Sequence, residues 1–370
     1  MRIAILGTRG VPANYGGFET FAEELGQRLV ERGHDVTVYG RTGSVPRGLK
    51  AYLGMSIVRL PAPHSKYFET VIHSIFAAVH ALGRRYDLVY VCNSANVPAV
   101  VFLLLGRKRV ILNVDGLEWR RAKWGHVGKA YYRICAWAAA RLPIEVVTDA
   151  RVIQAYYAQA YGRRAHYFPY GADLSPAPAD GTLDRLGLQA GEYVLYVSRL
   201  EPENNAHVVI EAYGHVRTNL PLVIVGDAPH ASAYIEALHR TSDGRVRFAG
   251  SIYGSGYRAL LSQAALYVQA TEVGGTHPAL VAAMGLGNAI VANDVPEHRE
   301  TLAEAGRYYQ GVDELARAIQ GLLGDRAAAD GLRRAARQRA ARLYSWDQIT
   351  TDYERWFEQL TGGPRSVDPG

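Results

Sequence analysis

Short runs of β-branched and aromatic residues alternate along this chain with longer stretches whose apolar residues recur every three or four positions. The short runs are RIAIL, DVTVY, SIVRL, DLVYV and RVILNV in the first half. In the second half they are YVLYV, PLVIVG, VRFAG, ALYVQA and NAIVAN. Helical spacing covers 17–33, 68–82, 149–161, 207–218 and 277–287. Strand–helix alternation of this kind predicts parallel sheets with helices on both faces. The strands are apolar almost throughout, as expected of sheets covered on both sides.

One stretch breaks the rhythm. In DLSPAPADGTLDRLG (173–187) Pro, Ala and Gly crowd together without period, which predicts an interdomain linker. The run 321–363 is helical, with a helix start at Ser345, and the closing GPRSVDPG reads as a frayed tail. The chain is therefore expected to be α/β, with two doubly wound Rossmann-like domains facing a central cleft. A first domain over 1–175, a linker over 176–190 and a second domain over 191–345 are followed by a C-terminal helix and tail over 346–370. A length of 370 residues agrees with two cores.

Composition adds three constraints. With 48% hydrophobic and 21% charged residues the chain is of the globular class. Cys92 and Cys135 lie in apolar surroundings without CxxC spacing and are expected to be buried free thiols in a reducing cytosol. The apolar run after Met1 is too short for a signal peptide, and the longest apolar stretch, VPAVVFLLLG (97–106), is about half a membrane span. Charge is unevenly divided: residues 1–185 carry 24 Lys and Arg against 14 Asp and Glu, and residues 186–370 carry 17 against 21. A basic half suggests an anionic partner. No basic–aromatic recognition motif points to nucleic acid. An anionic membrane surface fits better, because each Lys or Arg near it contributes about 1 kcal/mol.

Four segments carry candidate chemistry. In ILGTRGVPANYGGFETFAEEL (5–25) a strand passes through Gly7, Gly10, Gly16 and Gly17 into an amphipathic helix, as a loop that grips an anion would. Arg9 adds a fixed charge. The spacing is not GxGxxG, and no acidic residue stands where a dinucleotide ribose needs one, which argues against a nicotinamide site. In ILNVDGLEWRRAKWG (111–125) a buried strand ends beside Asp115, placed to orient a sugar hydroxyl or accept a proton. Trp119 and Trp124 either pack on a sugar or fill the core. In VSRLEPENN (197–205) Arg199 is placed for charge-assisted bonds to a diphosphate, or else pairs with Glu201 or Glu203 at the surface. In TEVGGTHPALVAAMGLGNAIVAND (271–294) Thr276 or His277 caps a helix whose first turn holds Pro278. That loop suits phosphate recognition, though a capped core helix has the same pattern.

These motifs resemble the retaining glycosyltransferases of family 4, which have the GT-B fold. More narrowly, the chain is similar to a bacterial rhamnosyltransferase-like group marked by GTRGVPA-x-YGGFET, GLEW-x-R-x-KW, RLEPENN and GGTHPAL. The resemblance covers residues 1 to about 345. It implies a nucleotide-sugar donor held by the second domain, an acceptor held by the basic first domain, and a terminal helix crossing back to that domain. By position it makes Gly16, Gly17, Arg199, Asn204, Gly274, Gly275, Thr276, His277 and Ala282 donor-site residues. Asp115, Arg199 and His277 become the candidates for catalysis, with Arg9, Glu118, Arg120 and Lys123 for the acceptor. It also implies a glycan or polyprenyl-diphosphate-linked sugar as acceptor, while the basic first half, not the resemblance, suggests peripheral attachment to the inner face of the cytoplasmic membrane.

Two departures stand out. The superfamily's usual lysine after the arginine is Asn204 here, followed by Asn205, as in the narrower group. The two glutamates that usually flank the loop are replaced by Gly274 and Ala282, while Glu272 stands two residues too early. Deoxyribose has one hydroxyl fewer to hold, so a dTDP-sugar, with rhamnose as first candidate, loses least from this change. Loss of a charged hydrogen bond lowers affinity by roughly ten- to a hundredfold. No Asp-x-Asp pair or His/Cys cluster is evident, so transfer without metal or other cofactor is expected. The competing readings are a non-catalytic or impaired nucleotide-sugar-binding protein and a nucleotide-sugar epimerase.

Overall fold

A computed structural model describes residues 1–63, 65, 68–175, 177, 180–228, 231–241 and 243–362. The chain forms two compact units. The first comprises Met1–Trp119, Gly125–Pro169 and the chain from Trp346 on; the second comprises Arg120–Trp124 and Tyr170–Ser345.

The first unit is built on an eight-stranded sheet: β1 (Arg2–Leu6), β2 (Asp35–Arg41), β3 (Ala51–Tyr52), β4 (Met55–Leu60), β5 (Leu88–Cys92), β6 (Val110–Asn113), β7 (Glu145–Thr148) and β8 (His166–Tyr167). Its order is β3-β4-β2-β1-β5-β6-β7-β8, parallel except for the β3–β4 hairpin. Helices α1 (Gly17–Glu31), α2 (Glu69–Leu82), α3 (Val97–Leu105), α4 (His126–Arg141) and α5 (Arg151–Tyr161) connect the strands. The steps from β4 to β5, β5 to β6 and β6 to β7 all run the same way across the sheet. Right-handed crossovers then put α2, α3 and α4 on one face, with α1 on the other. The apolar stretch 97–106 is α3, with a proline in its first turn.

The second unit has six parallel strands: β9 (Val194–Val197), β10 (Leu222–Val225), β11 (Val246–Gly250), β12 (Leu266–Gln269), β13 (Ile290–Asn293) and β14 (Arg307–Tyr309). Their order, β11-β10-β9-β12-β13-β14, reverses between β9 and β12. A doubly wound sheet of this order opens its ligand crevice at the carboxyl ends of the two strands flanking the reversal. Helices α6 (Thr182–Arg185), α7 (Ala206–Gly214), α8 (Ser232–His239), α9 (Gly254–Gln263), α10 (Pro278–Gly285), α11 (Pro296–Leu302), α12 (Gly311–Gly324) and α13 (Arg326–Leu343) accompany it.

The last helix, α14 (Trp346–Thr361), packs in the first unit against α1. Glu354 binds Arg32 Nη1 at 2.9 Å and His34 Nε2 at 2.7 Å. Tyr353 stacks on Phe168 and shares a hydrogen bond with Tyr90 at 3.0 Å. Its start after Ser345 matches the sequence expectation; the proposed frayed tail lies outside the described residues.

The expected linker needs correction. The chain passes between units at Pro169–Tyr170, ahead of 176–190, and α6 forms inside that stretch. Asp180 caps the turn through the Thr182 N–H at 3.0 Å and accepts from Ser255 Oγ at 2.8 Å, tying it to α9. A proline-rich composition marked irregular backbone there but not the change of unit. Both cysteines are buried and free.

Candidate functional site

Arg199 lies just past β9, and the loop 271–277 lies just past β12, so the two flank the point where the strand order reverses. Three cations gather with two carboxylates there. Glu201 takes Lys123 Nζ at 3.3 Å on both oxygens and Arg199 Nη1 at 3.6 Å. Arg121 approaches Glu203 at 4.0 Å, with both side chains almost fully buried. Burial would raise the Glu201 carboxyl, but Arg199, Lys123 and Arg121 outweigh it and hold the group below its ordinary range. Glu201 is thus an anion at neutral pH that orients two cations, one of them Arg199.

The Asn-Asn pair fixes this arrangement. Asn204 is buried, and its amide donates to the Arg199 carbonyl at 2.7 Å. Through this bond Asn204 positions the backbone that carries Arg199, and its Oδ1 is left over. Asn205 is left-handed, at φ 59°, a conformation Asn tolerates better than most residues. Its amide donates to the Ala270 carbonyl at 3.0 Å and to Glu272 at 2.8 Å, and the Glu272 N–H donates to the Glu203 carbonyl at 3.1 Å. The loops after β9 and β12 are therefore pinned to each other.

The loop of residues 274–277 has a steric logic of its own. His277 precedes α10 as its N-cap by backbone geometry, without a side-chain capping bond, and Pro278 opens the helix. A Cβ on Gly274 would meet the His277 ring at 2.5 Å. Glycine at 274 leaves room for the imidazole, and a glutamate there would require the His277 ring to shift. Gly275 and Thr276 are buried beside it, and Ala282 is half-buried within α10.

The His277 ring meets the His298 ring edge-on at 5.0 Å. His298 Nδ1 bonds the Asn293 carbonyl at 3.0 Å. His277 Nε2, His298 Nε2, Asn204 Oδ1 and both Glu203 carboxylate oxygens are buried without a hydrogen-bond partner. Buried polar atoms are rarely left so in a folded chain, and these five stand on the loop after β9, at the N-cap of α10 and on α11. Burial, the neighbouring His298 and the guanidiniums of Arg121 and Arg199 push the His277 pKa well below the usual imidazole value. It is neutral at pH 7.

Neutral buried histidines have a consequence for stability. Burial lowers His298 to about 4, and burial with Arg41 nearby lowers His73, in the first unit, to about 4. The unfolded chain takes up these protons near pH 6.5, whereas the folded chain does so only near 4. Unfolding free energy should therefore fall as pH drops from about 6.5 to 4, by on the order of 3 kcal/mol per histidine. Urea melts at pH 7.5 and 5.0 test this, and His298→Asn should flatten the slope. An unchanged slope in the variant would refute the assignment.

In the first unit, the β1 loop carries Gly7 at φ 89°, where a Cβ would meet the Cys92 carbonyl at 2.3 Å. The Arg9 N–H donates to Glu19 at 2.7 Å, and the Ala13 N–H to Glu23 at 2.6 Å. Burial raises the Glu19 carboxyl, opposed by that N–H and by Arg41 and Arg9. The Arg9 guanidinium lies 3.5 Å over the Tyr15 ring and 3.5 Å from Glu69, so its charge is held within this loop region. Gly16 is the extended N-cap of α1 and Gly17 its first residue. Asp115 follows β6 at φ 45°, its N–H bound by Asn113 Oδ1 at 2.9 Å. Glu118 is buried, and Trp119 packs on Tyr156 in the core at 5.8 Å. Arg120 and Lys123 belong to the second unit, where Lys123 serves Glu201. Among the described residues no group of three His, Cys, Asp or Glu side chains is placed to hold a metal.

Family comparison agrees with this geometry on both units. Residues 15–176 match the model described as Glycosyltransferase Family 4, and 191–325 match Glycosyl transferases group 1. The chain has the GT-B glycosyltransferase fold. Among solved structures, sucrose-phosphate synthase from Thermosynechococcus elongatus superposes with a TM-score of 0.82 at 20% identity, over 98% of this chain and 99% of that one. The Anabaena protein HepE, in complex with UDP-glucose, superposes at 0.79 and 18% identity over 97% and 100%. A phosphatidyl-myo-inositol mannosyltransferase of Mycolicibacterium smegmatis is 28% identical over 216 residues, 55% of this chain and 54% of the relative. The GT-B chain thus spans about half of that curated relative's length.

Sequence reasoning left two members of the GT-B chain's site unassigned. Arg121 and Glu203 pair across 82 positions of chain, and no local pattern announces that contact. The only signal was the density of charge in RRAKW and LEPENN.

Proposed function

We propose that the protein is a retaining glycosyltransferase that moves a sugar from a nucleoside-diphosphate donor to a glycan or lipid-linked saccharide. The observation that carries this reading is the set of cations Arg121, Lys123 and Arg199 at the β9/β12 reversal, beside a loop packed around a neutral histidine. A departing diphosphate develops negative charge, and preorganised cations and N–H groups are worth most where that charge appears. Arg199 is the least buried of the ion-paired side chains of this cluster and the one proposed to meet the diphosphate. Neutral His277 is suited to a hydrogen bond with a donor-sugar hydroxyl, and Asp115 is proposed for a hydroxyl on the acceptor side. Retention by this route needs no side-chain nucleophile.

Rhamnose from dTDP-rhamnose is the proposed donor. It is supported by the motif resemblance and by the half-buried Ala282, which offers a ribose no carboxylate. Glu272 is exposed and already bonded to Asn205, so it does not replace that carboxylate. The same two observations favour the second reading, an impaired nucleotide-sugar binder.

Thermal melts with dTDP, UDP and GDP, on the wild type and on Ala282→Glu, separate the possibilities. A nucleotide at a hundred times its Kd should add about 2.7 kcal/mol of stability. The expected result is the largest shift with dTDP in the wild type and a gain in the UDP response in Ala282→Glu. A wild-type preference for UDP or GDP removes the dTDP assignment. No shift in either protein with any nucleotide removes the donor site itself.

A further inference from the structure

Twelve large hydrophobic side chains are exposed among the described residues, and nine of them belong to the layer formed by α2, α3 and α4. On α2 these are Phe68, at its N-cap, Phe76 and Val79; on α3, Val101, Phe102 and Leu105; on α4, Val127, Ile134 and Trp137. Leu105, Val127 and Ile134 are 77%, 85% and 64% exposed, so these are not core residues that happen to reach the edge. Scattered exposed hydrophobics need no explanation, but a contiguous set does. The nine share one layer, because α2 packs on α3 and α3 on α4.

Charge around this face is mostly positive. The first unit's residues 68–119 and 125–141 carry eight Lys and Arg against four Asp and Glu. Neither α3 nor α4 contains a carboxylate. The single carboxylate of α2, Glu69, pairs with Arg9 and with Arg41 at 3.2 Å rather than with solvent. Exposed cations follow or lie on the helices: Arg84 and Arg85 after α2, Arg107 and Arg109 after α3, Arg133 midway along α4 and Arg141 at its end. Arg141 lies 5.4 Å over the Trp137 ring, an apolar body with its charge at one edge.

We infer that the outer face of α2–α3–α4 is a docking surface for an anionic lipid bilayer, into which Trp137, Phe76 and Phe102 insert. An apolar surface bordered by Lys and Arg binds such interfaces through buried area plus attraction to anionic headgroups. Pairing with a second copy of the chain is disfavoured by the same charges, because a two-fold contact sets each basic border against its own copy. The basic first half suggested a membrane but not a surface; the helices supply it. Among the described residues no helix is long and apolar enough to cross a membrane, so the contact is peripheral. The inference goes beyond sugar transfer and does not depend on it, since the test below uses neither donor nor acceptor.

The full chain is floated with phosphatidylcholine vesicles and with vesicles containing 30% phosphatidylglycerol, a composition of about one anionic lipid in three. Binding is expected only to the anionic vesicles and is expected to weaken with salt. Brominated lipid should quench tryptophan emission, and Trp137→Phe should remove most of the quenching. The double variant Phe76→Glu/Phe102→Glu should bind about tenfold or more weakly, with its melting temperature retained because both residues are exposed. Failure of the wild type to bind, or equal binding by the double variant, overturns the proposal. So does concentration-dependent self-association that the double variant abolishes, which would make the face a contact between copies.

Discussion

Arg199→Ala should lower the rate of nucleoside-diphosphate release by about a hundred- to a thousandfold, the loss typical when one preorganised donor is withdrawn from a developing negative charge. Stability should change by about 1 kcal/mol or less, because the side chain is partly exposed and Glu201 keeps Lys123 at 3.3 Å. Arg199→Lys separates charge from geometry: it retains a cation but not the planar fork that bonds two phosphate oxygens at once, and should fall between the two. Binding of a free nucleoside diphosphate should weaken less than turnover, since the interaction grows as the bond to the sugar breaks. Product release measured at saturating donor decides the matter. If Arg199→Ala turns over within a fewfold of the wild type, the arginine serves only to orient Glu201.

The parts of this molecule legible in its sequence were those governed by neighbours along the chain. RIAIL and VRFAG coincide with β1 and β11 because β-branched and aromatic residues bounded by turn residues leave little alternative. The predicted helix over 207–218 ends at Gly214, as a glycine in the last turn favours, although apolar spacing continues past it. Segment 97–106 had no polar residue to give it a period, so neither its helix nor its exposed side could be read from the pattern. Distant contacts explain the rest. Arg199 was visible as a cation after a strand, but the pairing of Lys123 with Glu201 and of Arg121 with Glu203 requires two segments some 80 positions apart to meet. Asn204 and Asn205 clamp the carbonyls of Arg199 and Ala270, contacts that no local pattern announces. The glycine at 274, where a carboxylate is usual, lies against the ring of His277, a contact not visible along the chain.

The same kind of distant contact sets the second large expected effect. Gly226 follows β10 at φ 142°, and a Cβ built there would stand 1.8 Å from the Ser198 carbonyl oxygen and 2.9 Å from its carbon. These are backbone atoms of the residue beside Arg199, so no side-chain rotation can relieve the clash. Its own N–H is held by the Gly250 carbonyl at 2.9 Å, and the Leu200 N–H reaches the Asp227 carbonyl at 3.3 Å, which ties the two loops on either side. Gly226→Ala must therefore either strain its own backbone or push the loop that carries Arg199 away from β10. Overpacking against rigid neighbours, added to an unfavourable φ, should cost about 3 kcal/mol or more in unfolding free energy. Gly214→Ala serves as the control in the same unit, since a Cβ there meets nothing within 4 Å and alanine suits a helix end. Urea melts should show a large loss for Gly226→Ala and little change or a small gain for Gly214→Ala. Any Gly226→Ala that remains folded at low temperature should also lose product release, because Arg199 moves with Ser198. Retention of both stability and turnover would mean that the two loops can separate without consequence, and that the proposed diphosphate site does not depend on their close approach.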